Sequence, residues 1–260
     1  MILHNEIEPF AVEWLRNLAA AGLIDGPVRI DDRSIADLQP ADLVGFDQCH
    51  FFSGIGGWTR ALDLARWPAA RPVWTGSCPC QPFSNAGQRK GAEDERHLWP
   101  EFARLIDECR PPVIFGEQVA SKLGRAWLAG VQADLEGMGY AVGAADLCAA
   151  GVGAPHIRQR LYWGAIRLAD ANGPGRGSGR EAAAPPRHGC PPGAENWASA
   201  RWLECLDGKW RRIPAEPAFF PLAHGLPGRV GRLRAYGNAI VPQVAATFVM
   251  QFMEAIDAAQ

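Results

Sequence analysis

The chain has 260 residues, a formal net charge of -2 and a hydrophobic content of 48%. That length suits one large α/β domain, or one domain with a small appendage. The absence of any run of eighteen apolar residues argues against a membrane span, and the near-neutral balance excludes a uniformly basic nucleic-acid binder.

Seven cysteines, an odd number, are scattered through a chain too large to need staples, which points to reduced thiols and a cytosolic protein. Cys78 and Cys80 form one close pair, but no second pair stands at zinc-site spacing, so no metal is expected. The first residues lack a basic stretch followed by an apolar one, so no signal peptide is expected.

In chain order, residues 1 to 8 read as a short strand ending in Asn5-Glu6-Ile7-Glu8. Pro9 suits a helix start, and Phe10, Trp14, Leu15 and Leu18 recur at helical spacing up to Gly22. Val28 to Ile30 is a strand ending at Asp31-Asp32, and residues 33 to 47 read as a short helix and a loop. Cys49 to Phe52 is a strand running into Ser53-Gly54-Ile55-Gly56-Gly57, with a helix over 58 to 66. Val73 to Thr75 is a strand leading to the cysteine loop. Residues 85 to 98 read as a polar loop, and Pro100 opens a helix to Cys109. Val113 to Phe115 is a buried strand ending at Gly116-Glu117-Gln118. A helix over 123 to 137 and strands near 140 to 147 and 160 to 166 complete the pattern. The alternation predicts a Rossmann-like, wound, mainly parallel α/β sheet.

From Asp170 to Pro192 the composition shifts to Gly, Pro, Arg and Ala, and a module with Trp197, Trp202 and Trp210 follows. Residues 168 to 236 hold ten basic and six acidic residues, a local excess that suits a phosphate-contacting face. The chain closes with Gly237-Asn238-Ala239-Ile240-Val241-Pro242 and an amphipathic helix to about Ile256. The expected division is a catalytic domain over 1–167 plus 226–260, with a small target-recognition region over 168–225.

The chemistry concentrates at Cys78-Pro79-Cys80-Gln81-Pro82-Phe83-Ser84. Two prolines in four residues fix φ and remove backbone donors, so this is a shaped loop presenting a thiol. The glycine run 53–57 follows a strand and opens a helix, where backbone can approach a ligand and an anionic group is favoured. Glu6 and Asp31 stand at strand ends spaced as successive βα units, where acids hold ribose hydroxyls or an adenine amino group.

These segments together resemble the DNA cytosine-5 methyltransferases. Pro79-Cys80-Gln81-Pro82-Phe83-Ser84 is similar to that family's nucleophile loop, and Phe52-Ser53-Gly54-Ile55-Gly56-Gly57 to its cofactor loop. Glu117-Gln118-Val119 resembles the Glu-Asn-Val element with Gln in place of Asn. Arg158-Gln159-Arg160 resembles the Arg-x-Arg strand, with His156 where Gln is usual. Residues 237–242 resemble the terminal Gly-Asn element. His50 stands where the family usually has Asp.

The resemblance has a reordered part. About twenty residues separate Gly57 from Pro79, where the family has roughly forty that include the donor-binding acids. Asn5-Glu6-Ile7-Glu8-Pro9-Phe10 instead resembles the ribose-binding strand end, and Asp31-Asp32-Arg33-Ser34-Ile35 the adenine-binding element. The order becomes ribose acid, adenine acid, glycine loop, cysteine loop. A wound sheet tolerates this, because strand position rather than chain order builds the site. The helix 58 to 66 must then lead to a strand on the other side of its own, and the right-handed crossover rule favours the opposite face for it.

The resemblance implies S-adenosyl-L-methionine as cofactor, held by Glu6, Ile7, Asp31, Asp32, Phe52 to Gly57, Pro79, Asn238 and Ala239. It implies Cys80 as nucleophile, with Glu117, Arg158 and Arg160 around a flipped cytosine, and Cys78 as a structural neighbour. Gln81, Ser84, Arg89 and Arg96 would meet double-stranded DNA. The implied protein is a bacterial or phage-encoded monomer, cytoplasmic and nucleoid-associated, with a restriction endonuclease as possible partner. Alternatives are cytosine chemistry on tRNA or with another one-carbon donor, and a non-catalytic DNA-binding relative.

Overall fold

The computed structural model describes residues 1–79, 98–154, 156–168, 201–204, 210–213 and 237–259. Nine strands are present among them: β1 Ile2–Asn5, β2 Val28–Asp31, β3 Gln48–Phe51, β4 Val73–Gly76, β5 Val113–Val119, β6 Tyr140–Cys148, β7 Gln159–Arg167, β8 Arg201–Glu204 and β9 Trp210–Ile213. The helices are α1 Pro9–Ala20, α2 Gly57–Leu64, α3 Trp99–Cys109, α4 Lys122–Gly137 and α5 Pro242–Ala259. Residues 33 to 47, expected as a helix and a loop, form two 3-10 turns over Ile35–Asp37 and Pro40–Leu43. The strand expected over 113 to 115 continues to Val119, so Glu117 and Gln118 lie within it and not beyond its end.

Strands β1 to β7 form one sheet in the order β2-β1-β3-β4-β5-β7-β6, and β8 pairs with β9 separately. The first five positions are parallel, and β7 runs antiparallel to both β5 and β6. This is the expected wound, mainly parallel sheet. The glycine-loop strand β3 is third in chain order, yet it lies between β1 and β4. The strand ends carrying Glu6, Ser53 and Ser77 are therefore neighbours at one carboxyl edge, where open α/β sheets bind ligands.

The face taken by α2 is settled by its packing. Trp58, Ala61 and Leu62 of α2 share a core with Val73, Phe115, Tyr162 and Val244 to Val249 of α5. The opposite face packs Phe51, Trp74 and Ile114 under Phe102, Leu105 and Ile106 of α3, Val131 and Leu135 of α4, and the 3-10 residues Ile35 and Leu38. The connections β2–β3, β3–β4 and β4–β5 all advance across the sheet in the same direction. The first and third pass over the second face, and α2 alone passes over the first. The β3–α2–β4 crossover thus has the hand opposite to the other two, against a right-handed preference of about 98%. The placement of α2, which the sequence left open, is therefore on the face of α5 and against the crossover preference.

Contact with α5 and with Ile240 just before it holds it there. Gly57 opens α2, and a Cβ built on it would stand 2.7 Å from Cγ1 of Ile240. A β-branched side chain cannot easily turn away from such a contact. Gly57→Ala should cost about 1–3 kcal/mol, the scale of overpacking, read as a lower urea midpoint at unchanged slope.

Under α2 runs a polar row that the sequence pattern did not single out. His4, His50 and Thr75 are in register across β1, β3 and β4. The two imidazoles stack with centroids 4.8 Å apart. Nδ1 of His50 lies 2.8 Å from Oγ1 of Thr75, and Nε2 of His4 lies 3.3 Å from Oγ1 of Thr59. Nδ1 of His4 and Nε2 of His50 have no hydrogen-bond partner among the described residues. Burial lowers the pKa of His4 to about 4 and that of His50 well below its ordinary value. Both rings are neutral in the native state, while the unfolded chain takes up protons near pH 6.5. The unfolded state then binds more protons below that pH, so stability is full above it and falls as the pH drops toward 4. The expected slope is about 1.4 kcal/mol per pH unit for each histidine. Denaturant titrations between pH 7 and 5 check it, and His50→Gln should flatten the slope.

Candidate active site

The glycine loop is set by backbone conformations that alternate in hand. Phe52, Gly54 and Gly56 have φ of 51°, 54° and 84°. Glycine reaches this region without steric cost, whereas Phe52 is held there against its Cβ. The N–H of Ser53 donates to the carbonyl of Asn5, and the Ser53 hydroxyl donates to the carbonyl of His50. The loop is thus tied to the end of β1.

Glu6 joins the two. Its Oε2 accepts the N–H of Gly54 at 2.6 Å, and its Oε1 accepts the N–H of Glu8 at 2.9 Å. An ionised carboxylate has about four acceptor positions, so each oxygen keeps one open. Ile7, next to it, is 62% exposed. A large apolar side chain left that bare at the rim of a cleft offers a flat face for a planar ring.

Asp31 behaves differently from the expectation. It is buried, and its Oδ1 accepts the N–H and Nε of Arg33 at 3.1 and 3.0 Å. Its Oδ2 accepts Nη2 of Arg33 at 2.7 Å and Nη2 of Arg29 at 3.2 Å. The side-chain hydrogen bond from Arg33 is the main cause that holds its pKa below the usual carboxylate range. Asp32 is exposed and pairs with Arg16 at 2.9 Å. Neither acid lines the cavity described below, so the ligand contacts expected of them are not available in this structure.

At the other side of the edge, Glu117 in β5 and Arg160 in β7 stand diagonally across an antiparallel pair, since Glu117 is opposite Tyr162 and Arg160 opposite Val119. Nε of Arg160 lies 2.8 Å from Oε1 of Glu117. Burial pushes the Glu117 pKa up, and the charge of Arg160 opposes the shift without cancelling it. Arg158, expected beside the same group, has a left-handed φ of 32°. Its guanidinium donates to the carbonyls of Gly237 and Ala239. It therefore fastens the terminal Gly-Asn segment to the sheet.

Cys78 is buried at the end of β4, and burial pushes its thiol far up. Nε2 of Gln118 donates to its carbonyl at 3.4 Å, and Oε1 of Gln118 accepts the N–H of Val119 at 2.9 Å. Gln118 thus does backbone work at the foot of the cysteine loop. Cys80, Gln81, Ser84, Arg89 and Arg96 lie outside the described residues, as does nearly all of 168–225.

A cavity of about 480 Å³ connects these parts. Asn5, Glu6, Ile7, Arg33 and Ile35 line it on the β1–β2 side, and Glu117, Gln118, Arg158 and Arg160 on the β5–β7 side. Phe52, Gly54, Pro79, Asn238 and Ala239 lie among the lining residues as well. A crevice of about 30 Å³ adjoins it, lined by Ser53, Ile55, Gly57 and Trp58. Of the predicted residues, Gly56 lines neither; it packs its φ of 84° against Leu15 and Leu18. His50 faces α2 and lines neither.

Sequence reasoning missed Asn5, Arg33 and Ile35. Asn5 donates through Nδ2 to the carbonyls of Asp31 and Arg33 and so brackets the ends of β1 and β2. The signal for Arg33 was present in Asp31-Asp32-Arg33, where the acids drew attention and the base did not. No group of three or more His, Cys, Asp or Glu among the described residues could hold a metal ion.

Residues 71–173 match the model of the C-5 cytosine-specific DNA methylases. Type II methyltransferase M.AgeI of Thalassovita gelatinovora is 34% identical over 103 residues, 38% of this chain and 24% of that protein. M.AplI of Arthrospira platensis is 35% identical over 102 residues, 38% of this chain and 29% of that protein. M.HhaI of Haemophilus parahaemolyticus is 38% identical over 88 residues, 32% of this chain and 27% of that protein. The chain thus matches about a quarter of the length of these relatives. A solved DNMT2 mutant of Spodoptera frugiperda is similar at a TM-score of 0.43 and 18% identity, covering 70% of this chain and 46% of that one. The segment that is similar to the C-5 cytosine-specific DNA methylases contains the cysteine loop, Glu117 and the Arg158–Arg160 strand.

Proposed function

We propose that this protein is a DNA cytosine-5 methyltransferase that uses S-adenosyl-L-methionine and acts on a cytosine turned out of duplex DNA. The observation that carries the reading is the single cavity. It runs from an open carboxylate, Glu6, beside a glycine loop, to a buried carboxyl paired with an arginine, Glu117 and Arg160, and Pro79 at its wall leads directly into Cys80.

The donor site fits the cofactor. Glu6 keeps one acceptor position on each oxygen, which matches a vicinal diol. Ile7 gives an apolar face for a purine, and the glycine loop leaves the backbone open at Gly54, where a Cβ would meet nothing within 4 Å. When bound, the cofactor supplies an electrophilic methyl group.

The protein's residues do the rest. Cytosine C5 is a weak nucleophile. Attack of the Cys80 thiolate on C6 converts the ring to an enamine whose C5 can accept the methyl group, and loss of the C5 proton then lets the thiolate leave. Glu117 is suited to the base's N3 and exocyclic amine because burial raises its pKa, which favours a shared proton there. Arg160 orients Glu117 and offers donors to the base carbonyl. Arg158 positions the cavity wall at Gly237 to Ala239 and does not touch the base. A stacked base cannot reach such a site, so flipping is part of the reading.

Target recognition is assigned to 168–225, with contacts from Gln81, Ser84, Arg89 and Arg96 to the DNA. Because the similar proteins are Type II methyltransferases of bacteria, a role beside a restriction endonuclease in a bacterial cytoplasm belongs to the same proposal. The test is bisulfite sequencing of DNA from cells expressing the full chain, with labelled methyl transfer to duplex DNA and to RNA in vitro. Protected cytosines in a fixed sequence context are expected. Absence of both protection and label transfer to DNA would refute the reading.

A further inference from the structure

We infer that Trp58 and Ser77 are positioning residues for the methyl-transfer step, through a hydrogen bond that pins the stem of the cysteine loop, Ser77 to Pro79, to α2. This rests on the proposed function, with Cys80 as its nucleophile. Trp58 is the second residue of α2, and its Nε1 donates to the hydroxyl oxygen of Ser77 at 2.9 Å. Ser77 directly follows β4, and Cys80 stands three residues further on.

The indole is held independently of Ser77. Its ring stacks on Phe115 with centroids 6.2 Å apart and lies edge-on to Tyr162 at 6.3 Å. It is buried in the core shared with Val73 of β4 and with Val244 and Val249 of α5. A ring clamped by neighbours on several elements has one orientation, so its N–H has one direction. A buried indole N–H left without an acceptor is costly, and the Ser77 hydroxyl supplies the acceptor. The fixed partner is therefore Trp58, and the chain it fixes is the stem.

The ladder of β4 ends at Gly76, opposite Phe51 and Gly116. Past it, side chains hold the backbone. Trp58 holds Ser77 from α2, and Gln118 holds the carbonyl of Cys78 from β5. The bond from Gln118 is 3.4 Å long, so the bond to Ser77 is the tighter of the two. Pro79 then fixes φ one residue before Cys80. Ser77 lines both the cavity and the adjoining crevice, so the tie stands where the glycine loop and the cysteine loop meet. Misplacing a reacting group by about 1 Å can cost on the order of 100-fold in rate.

Trp58→Phe keeps an aromatic ring and removes the N–H, while Ser77→Ala removes the acceptor. Single-turnover transfer of labelled methyl to duplex DNA, at saturating S-adenosyl-L-methionine, should be about tenfold slower in each. The double variant should be no more than about twofold slower than the slower single one, because both changes break the same bond. Affinity for S-adenosylhomocysteine, by calorimetry, should stay within about threefold of the parent, since the bond acts on the rate and not on uniform binding. Rates are taken well below the melting temperature of every variant. A rate within about threefold of the parent in either folded variant overturns the inference, as do losses that multiply in the double variant or a loss confined to affinity. Should Trp58→Phe not fold, the rate of Ser77→Ala decides alone. An unaltered protein that transfers no methyl group to duplex DNA overturns the proposed function and this inference with it.

Discussion

Cys80→Ser is expected to remove methyl transfer, by on the order of 10⁴-fold or more, the scale met when a covalent nucleophile is lost. Cys78→Ser should stay within about tenfold of the parent. The two thiols are two residues apart, and only their surroundings distinguish them. Cys78 is 5% exposed at the end of β4, and burial pushes its thiol far up. A thiol that stays protonated at neutral pH is neither a good nucleophile nor a metal ligand. Its carbonyl, not its sulfur, is in use, as the acceptor for Gln118. Labelled methyl transfer to duplex DNA checks both variants, and denaturant melts separate loss of chemistry from loss of fold. Equal loss from the two, at equal stability, would refute the assignment of the nucleophile.

Glu6→Ala is expected to weaken S-adenosylhomocysteine binding by on the order of 100-fold or more. Two hydrogen bonds to an ionised acceptor are at stake, each worth about 1.5–3 kcal/mol. The substitution also frees the N–H groups of Gly54 and Glu8, which Glu6 now fixes, so the glycine loop loses its tie to β1. Glu13→Ala, an acid on the exposed side of α1, is the control and should leave affinity unchanged. Calorimetry on both variants gives the comparison. An unchanged affinity for Glu6→Ala would defeat the reordered donor site, which takes Glu6 as the acid that holds the ribose.

Much of this was legible in the residue pattern. The prolines around Cys80, the glycines of 53–57 and the acid after each N-terminal strand each report a local backbone requirement, and such requirements survive reordering. The strand of Glu6 could be placed beside that of the glycine loop because both carry ligand-facing ends, and the sheet order bears that out. Asp31 shows where local reading fails. An acid at a strand end looks the same whether it meets a ligand or a neighbouring arginine, and only three-dimensional proximity to Arg29 and Arg33 distinguishes the two. Arg158 is a similar case. Its partners, Gly237 and Ala239, lie about eighty residues away in the chain.

The sequence by itself determined most of the strands and helices and the resemblance to the C-5 cytosine-specific DNA methylases, because these follow from side-chain periodicity and from motifs a few residues long. The tertiary structure alone decided three things. It placed α2 on the face of α5 against the usual crossover hand, because Trp58, Ala61 and Leu62 bury their surface with the C-terminal helix. It paired His4 with His50 in the dry interior under that helix. It also spent the carboxylate of Asp31 on arginines, while Glu6 faces the cavity. Each outcome depends on which distant side chain fills a neighbouring space, and chain order does not encode that.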